Sequence, residues 1–87
     1  MKHIVTDSGF EVDIDEQVLD DMELFDALVE FQAGDATLLP FIVKRIFGAK
    51  KQALYDHCRD LETGRVPTMA VSAEITEIFE KMDSKNS

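Results

Sequence analysis

The segment from Thr37 to Leu61, TLLPFIVKRIFGAKKQALYDHCRDL, constrains this chain more than any other stretch. It holds the densest apolar run and most of the basic residues. Thr37 is placed to cap a helix, because its hydroxyl can accept from a free first-turn amide. Pro40 then falls within that turn, where no intrahelical N–H is lost. Leu39, Ile42, Val43, Ile46 and Phe47 recur at helical spacing, and Leu38 and Phe41 add apolar surface on a flank. Only Lys44 and Arg45 interrupt the run. A surface helix carries one apolar stripe, so a helix this apolar is either central to its own core or partly covered by a partner. Gly48 breaks or kinks it. A second helix follows from about Ala49, with Leu54, Tyr55, Cys58 and Leu61 as its expected inner face.

A chain of 87 residues forms one small domain, expected to span 1–87 without a second core. At this size the buried fraction of surface is modest, so association would add stability. With 45% hydrophobic and 31% charged residues, the composition is globular rather than that of a disordered acidic tail. No apolar run reaches the roughly 18 residues of a membrane span. The opening MKHIVTDSGF lacks the long apolar core of a signal peptide. The single cysteine, Cys58, forms no internal disulfide framework and suits a reducing cytoplasm.

The net charge of −9 is unevenly placed. Residues 1–35 carry eleven acidic side chains against Lys2 alone, whereas residues 36–60 carry five basic and two acidic ones. Residues 61–87 return to three basic and five acidic. An acidic half beside a basic middle favours internal pairing or head-to-tail contact between copies. Nucleic acid is not an expected ligand, since phosphate repels such a chain.

Lys2–Thr6 and Phe10–Ile14 alternate around Asp7-Ser8-Gly9, where glycine supplies the positive φ of a tight hairpin loop. Ile4, Phe10 and Val12 should pack the hairpin on helices, because a lone hairpin is weak in water. Asp13 and Glu16 suit a capping box, and acidic residues fit a first helical turn. The helix so begun is expected to reach about Phe31. Val18, Met22, Phe25, Leu28 and Val29 face inward in this reading, and Leu24 and Phe31 widen the stripe. Gln32 to Asp35 and Glu62 to Pro67 are breaks. Thr68 opens a last helix to about Met82, marked by Val71, Ile75, Ile78, Phe79 and Met82. The whole is a mainly α (α+β) domain: a hairpin over 1–14, about four helices in a small bundle over 15–82, and a frayed tail over 83–87.

No active site, cofactor site or metal site emerges. His57 and Cys58 are neighbours that point apart on a helix, and His3 is remote, so the three or four convergent ligands of a zinc site are not assembled. Cys58 has no nameable base or oxyanion device. A calcium loop started at Asp13 would put Val18 at its glycine position and Leu24 at its bidentate glutamate. Ser8 lacks the mid-chain Asp-Ser-Leu context of an acyl carrier protein. Phe and Met are core residues by default, but at a surface they make an adaptable groove for an apolar helix. The candidates for partner binding are Leu38, Phe41, Ile42, Arg45 and Phe47.

Asp20-Asp21-Met22-Glu23-Leu24-Phe25-Asp26-Ala27-Leu28 resembles the small tail assembly chaperones of long-tailed phages and prophages of Gram-positive bacteria. The resemblance continues through Leu39-Pro40, the apolar run ending at Gly48, and Lys51 to Asp56 with its Leu54-Tyr55 pair. It resumes at Gly64-Arg65-Val66-Pro67, Glu74-Ile75, Ile78-Phe79 and Lys85-Asn86-Ser87, covering nearly the whole chain. Order and spacing carry it, since each piece alone is unspecific. The resemblance implies a cytoplasmic protein, absent from the mature virion, that coats the tape measure protein until the tail tube polymerises. It also implies self-association, and a frameshifted longer form that recruits tail tube subunits. The rival expectation from the acidic charge is a phage-encoded inhibitor that mimics nucleic acid and binds a host enzyme.

Overall fold

Strand β1, Lys2–Val5, and strand β2, Glu11–Ile14, pair antiparallel with Ile4 opposite Val12 and Lys2 opposite Ile14. Gly9, at φ 93°, turns the connection, and the Thr6 amide closes it on the Phe10 carbonyl at 2.9 Å. Alternation puts Ile4, Phe10, Val12 and Ile14 into the core. The computed structural model describes residues 1–83. Of the frayed tail expected over 83–87, Asp83 instead ends the last helix, and 84–87 lie outside the described residues. The expected mainly α domain with an N-terminal hairpin is the observed fold. Among the described residues four α-helices follow the hairpin: α1 Met22–Gln32, α2 Leu39–Phe47, α3 Lys51–Cys58 and α4 Thr68–Asp83.

The first helix starts later than the sequence suggests. Asp13 stays in the strand, and Asp15 caps a short 3-10 turn over Glu16–Leu19 instead of a continuous helix. Asp21 is the true cap of α1, accepting from the Glu23 amide at 3.0 Å and the Leu24 amide at 3.3 Å. A capping carboxylate competes with the helix that would run through it, so the Asp20-Asp21 pair separates turn from helix. Helix α1 turns its Leu24 and Ala27 face inward, and Leu28 and Phe31 lean on the core. Met22, Phe25 and Val29 face solvent, a correction to their expected burial.

Thr37 does not cap α2. It lies in a 3-10 turn, Ala36–Leu38, whose Asp35 cap holds both its amide and its hydroxyl. Helix α2 begins at Leu39 with Pro40 in the first turn, as expected. Leu39, Ile42, Val43, Ile46 and Phe47 are all buried. Gly48, at φ 53°, ends the helix, and a 3-10 turn to Lys50 leads into α3. On α3 Leu54 is buried, and Tyr55 and Cys58 are half-buried. Leu61 lies beyond the helix and is exposed, so it is no part of the inner face. Val71, Ile75, Ile78 and Met82 of α4 fill the core, with Phe79 at its margin. Helix α1 packs mainly on α2 and the turn before it, while α4 packs on α3 and β1. No helix among the described residues is long and apolar enough to cross a membrane.

Candidate functional site

Two features stand out from ordinary packing: a polar cluster under the hairpin loop and an apolar groove beside α1. The cluster centres on Glu74, which is only 7% exposed. Its carboxylate accepts from the Thr6 hydroxyl at 2.8 Å and from the Ser8 hydroxyl at 2.9 Å. The Ser8 oxygen also lies 2.9 Å from His57 Nε2, so with the serine proton directed at Glu74 the imidazole donates to Ser8. Buried Thr6 accepts in turn from the Phe10 amide at 3.2 Å. Nearby, Glu77 accepts from the Asp7 amide at 2.6 Å, and Lys81 donates to the Val5 carbonyl at 2.7 Å.

A serine, a histidine and a carboxylate so close together invite comparison with a nucleophile relay. In such a relay the carboxylate orients the imidazole from its far nitrogen, and the imidazole takes the serine proton. Here the serine hydroxyl donates its hydrogen bond to Glu74 instead of to the imidazole, and no carboxylate bonds the far nitrogen of His57 among the described contacts. The arrangement fastens the hairpin loop to α3 and α4. It also leaves no buried side-chain polar atom unpaired among the described residues, as burial of a carboxylate requires. Sequence reading passed over Glu74, although its place three residues after Val71 and four before Ile78 puts it on the inner face of α4. Half-buried Cys58 borders the same region; burial pushes its thiol up, and the Glu74 charge adds to that. No three His, Cys, Asp or Glu side chains among the described residues converge as metal ligands.

The apolar groove has a volume of about 630 Å³ and walls from the turn before α1, from α1 and from α4. Leu24, Phe25, Leu28 and Val29 form one side, and Phe79 with Thr76 and Glu80 the other. Met22 at 73% exposure, Phe25 at 56% and Val29 at 49% continue the apolar surface outward along α1. A stripe spaced i, i+3, i+7 on a surface helix normally faces a core, and here it faces solvent.

The residues nominated from the sequence are divided by the structure. Ile42 and Phe47 are in the core, Phe47 edge-on to Phe10 at 6.3 Å, and present no surface for a partner. Their side of α2 meets the hairpin and the other helices, which use up the apolar excess. Leu38 is half-buried against the core. Phe41 remains 38% exposed, with the Arg45 guanidinium 4.8 Å from its ring centre. Arg45 also bonds Asp21 and, at 3.2 Å, Glu23, so it ties α2 to the start of α1. Partial desolvation of Asp21 is outweighed by that guanidinium and by the Leu24 and Glu23 amides, which together hold its carboxyl below the usual range.

The groove residues Phe25, Val29 and Phe79 were all read as core from the sequence. The legible signal was angular: at 100° per residue the apolar side chains of α1 sweep about 220° of its circumference, more than one packing partner covers. No protein-family model matches the chain. No curated protein and no solved structure matches it either.

Proposed function

We propose that this chain is a non-catalytic tail assembly chaperone that binds the tape measure protein and keeps it soluble while the tail is built. One observation carries the reading: a small, strongly acidic domain leaves Met22, Phe25 and Val29 exposed beside an apolar groove. Contiguous exposed apolar surface rimmed by polar groups marks an interaction site more often than chance. The resemblance along the chain to phage tail chaperones supplies the partner's identity, and the charge keeps a complex with a long apolar helix in solution. Action in the host cytoplasm, self-association of the chain and recruitment of tail tube subunits by a longer form belong to the same proposal.

The test is co-expression of the chain with a fragment of the tape measure protein encoded beside it. The fragment should move into the soluble fraction and co-purify with the chain. A fragment equally insoluble with and without the chain overturns the reading. The rival, an inhibitor that mimics nucleic acid, is favoured by the carboxylates of Asp15, Glu16, Asp20, Asp26 and Glu30, none of which forms an ion pair among the described residues. Capture of a DNA-handling host enzyme, lost steeply as salt rises, would replace the chaperone reading.

A further inference from the structure

The groove beside α1 differs from a generic apolar patch in its charge. Helix α1 carries Glu23, Asp26 and Glu30 and no basic residue. On a helical wheel these carboxylates border one edge of the Met22, Phe25 and Val29 stripe. Glu80 stands on the opposite wall, contributed by α4. The one basic residue of α4 within the described part, Lys81, is directed at the hairpin through the Val5 carbonyl and at Glu77, 3.3 Å away. Asp26, Glu30 and Glu80 have no ion-pair partner among the described residues, whereas Asp21 and Glu23 are already held by Arg45. The apolar floor is therefore bounded on both sides by carboxylates that have no ion-pair partner among the described residues.

We infer that the α1–α4 groove is a docking site for a single amphipathic helix whose apolar stripe is flanked on both sides by lysine or arginine. The floor takes apolar side chains at i, i+3 or i+4, and i+7, the helix-in-groove mode. Asp26 and Glu30 meet basic side chains on one flank and Glu80 meets those on the other. The 11 residues of α1 extend about 16 Å, which accommodates about three turns of a partner. Apolar contact supplies adhesion, while the charged rims fix orientation and reject acidic helices. A second copy of this chain fits less well: the apolar stripe of α2, the helix that carries Lys44 and Arg45, is buried in its own core, and Arg45 and Lys50 are already engaged, with Asp21 and Glu23 and with the Asp13 carbonyl. The inference rests on the chaperone reading for the partner's helical nature and places the contact on α1 instead of on Phe41.

The experiment titrates the full chain into two labelled peptides of about 15 residues, followed by fluorescence anisotropy. Both carry the same leucine stripe, one with lysine flanks and one with glutamate flanks. The lysine peptide should bind at least about tenfold more tightly, with affinity falling as salt rises. Phe25→Asp and Val29→Asp should each weaken it by about tenfold or more at unchanged circular dichroism and melting temperature, whereas Phe41→Asp should change it by less than about twofold. Equal binding of the two peptides, loss of binding in Phe41→Asp, or no binding at all overturns the inference. A wild-type dimer that Phe25→Asp converts to monomer also overturns it, by giving the groove to a second copy. The same variants in the tape measure co-expression separate this inference from the reading it rests on. A fragment kept soluble by the wild type and equally by Phe25→Asp leaves the chaperone standing and removes the groove. A fragment that the wild type leaves insoluble removes the chaperone, and the peptide titration then decides the groove alone.

Discussion

Helices α1 and α2 lie side by side and spend their apolar residues in opposite ways. Helix α2 has the greasier sequence, yet its buried residues Leu39, Ile42, Val43, Ile46 and Phe47 occupy an arc of only about 140°. Lys44 and Arg45 share the remaining surface with Pro40 and Phe41, and Arg45 lies over the Phe41 ring. Helix α1 looks more ordinary because three acids are spaced through it. Those acids cluster on one edge, and the apolar residues spread over about 220° of the rest. Only Leu24 and Ala27 are fully buried by the neighbours α1 has. Angular spread, more than apolar density, decides whether a helix leaves surface over for another molecule.

The largest effect expected from this contrast is on α2. Phe47→Ala removes a buried ring that packs on Phe10 and should destabilise the fold by about 3–5 kcal/mol in urea denaturation. A change near zero would mean that α2 is not the structural member of the pair. Next comes the lock that keeps the hairpin on α3 and α4. Glu74→Ala removes the acceptor shared by the Thr6 and Ser8 hydroxyls and should lower stability by about 1–3 kcal/mol, with hydrogen exchange rising first in the hairpin. Exchange that rises first in α1 would contradict this assignment.

The bond between the two helices predicts a smaller, pH-dependent effect. The Asp21 carboxyl is held below its unfolded value of about 3.9. Its contribution is therefore whole above that pH and is lost as pH falls through the folded value. Asp21→Asn keeps a capping side chain and removes the charge, so its stability should fall less steeply on acidification below about pH 4 than that of the wild type. Parallel acid limbs would show that Arg45 does not hold Asp21 in solution. The smallest effect is reserved for the groove: Phe25→Ala should change stability by no more than about 0.5 kcal/mol, since its ring is mostly in solvent. A core-sized loss would place Phe25 inside the fold and close the groove.

Much of the architecture was legible because its signals are local. The alternation around Gly9, the Pro40 and Gly48 boundaries of α2, and the Val71, Ile75, Ile78 and Met82 stripe of α4 each specify an element without help from the rest. The misplaced helix starts have a common origin in competing caps. Asp13, Asp15, Asp20 and Asp21 all can cap a helix, and the strand pairing of Ile14 with Lys2 removes the first while leaving Asp21 to start α1. Within α1 the side that meets the core is that of Leu24 and Ala27, which leaves Met22, Phe25 and Val29 at the surface. At Thr37 the Asp35 carboxylate took the capping role two residues earlier. The groove was hidden because whether α4 covers the outer face of α1 is a tertiary fact. The Glu74 cluster was hidden because its partners, Thr6 and Ser8, lie more than sixty residues away in the chain.

The central claim is that the outer face of α1 is surplus apolar surface kept for a helical partner. Methyl-detected NMR of the full chain during titration with the tape measure fragment tests it most directly. Leu19, Met22, Leu28 and Val29 should shift and saturate together, while the core methyls of Ile42 and Val43 stay in place. Shifts centred on α2 around Leu38 and Phe41, with the α1 methyls unmoved, would contradict it.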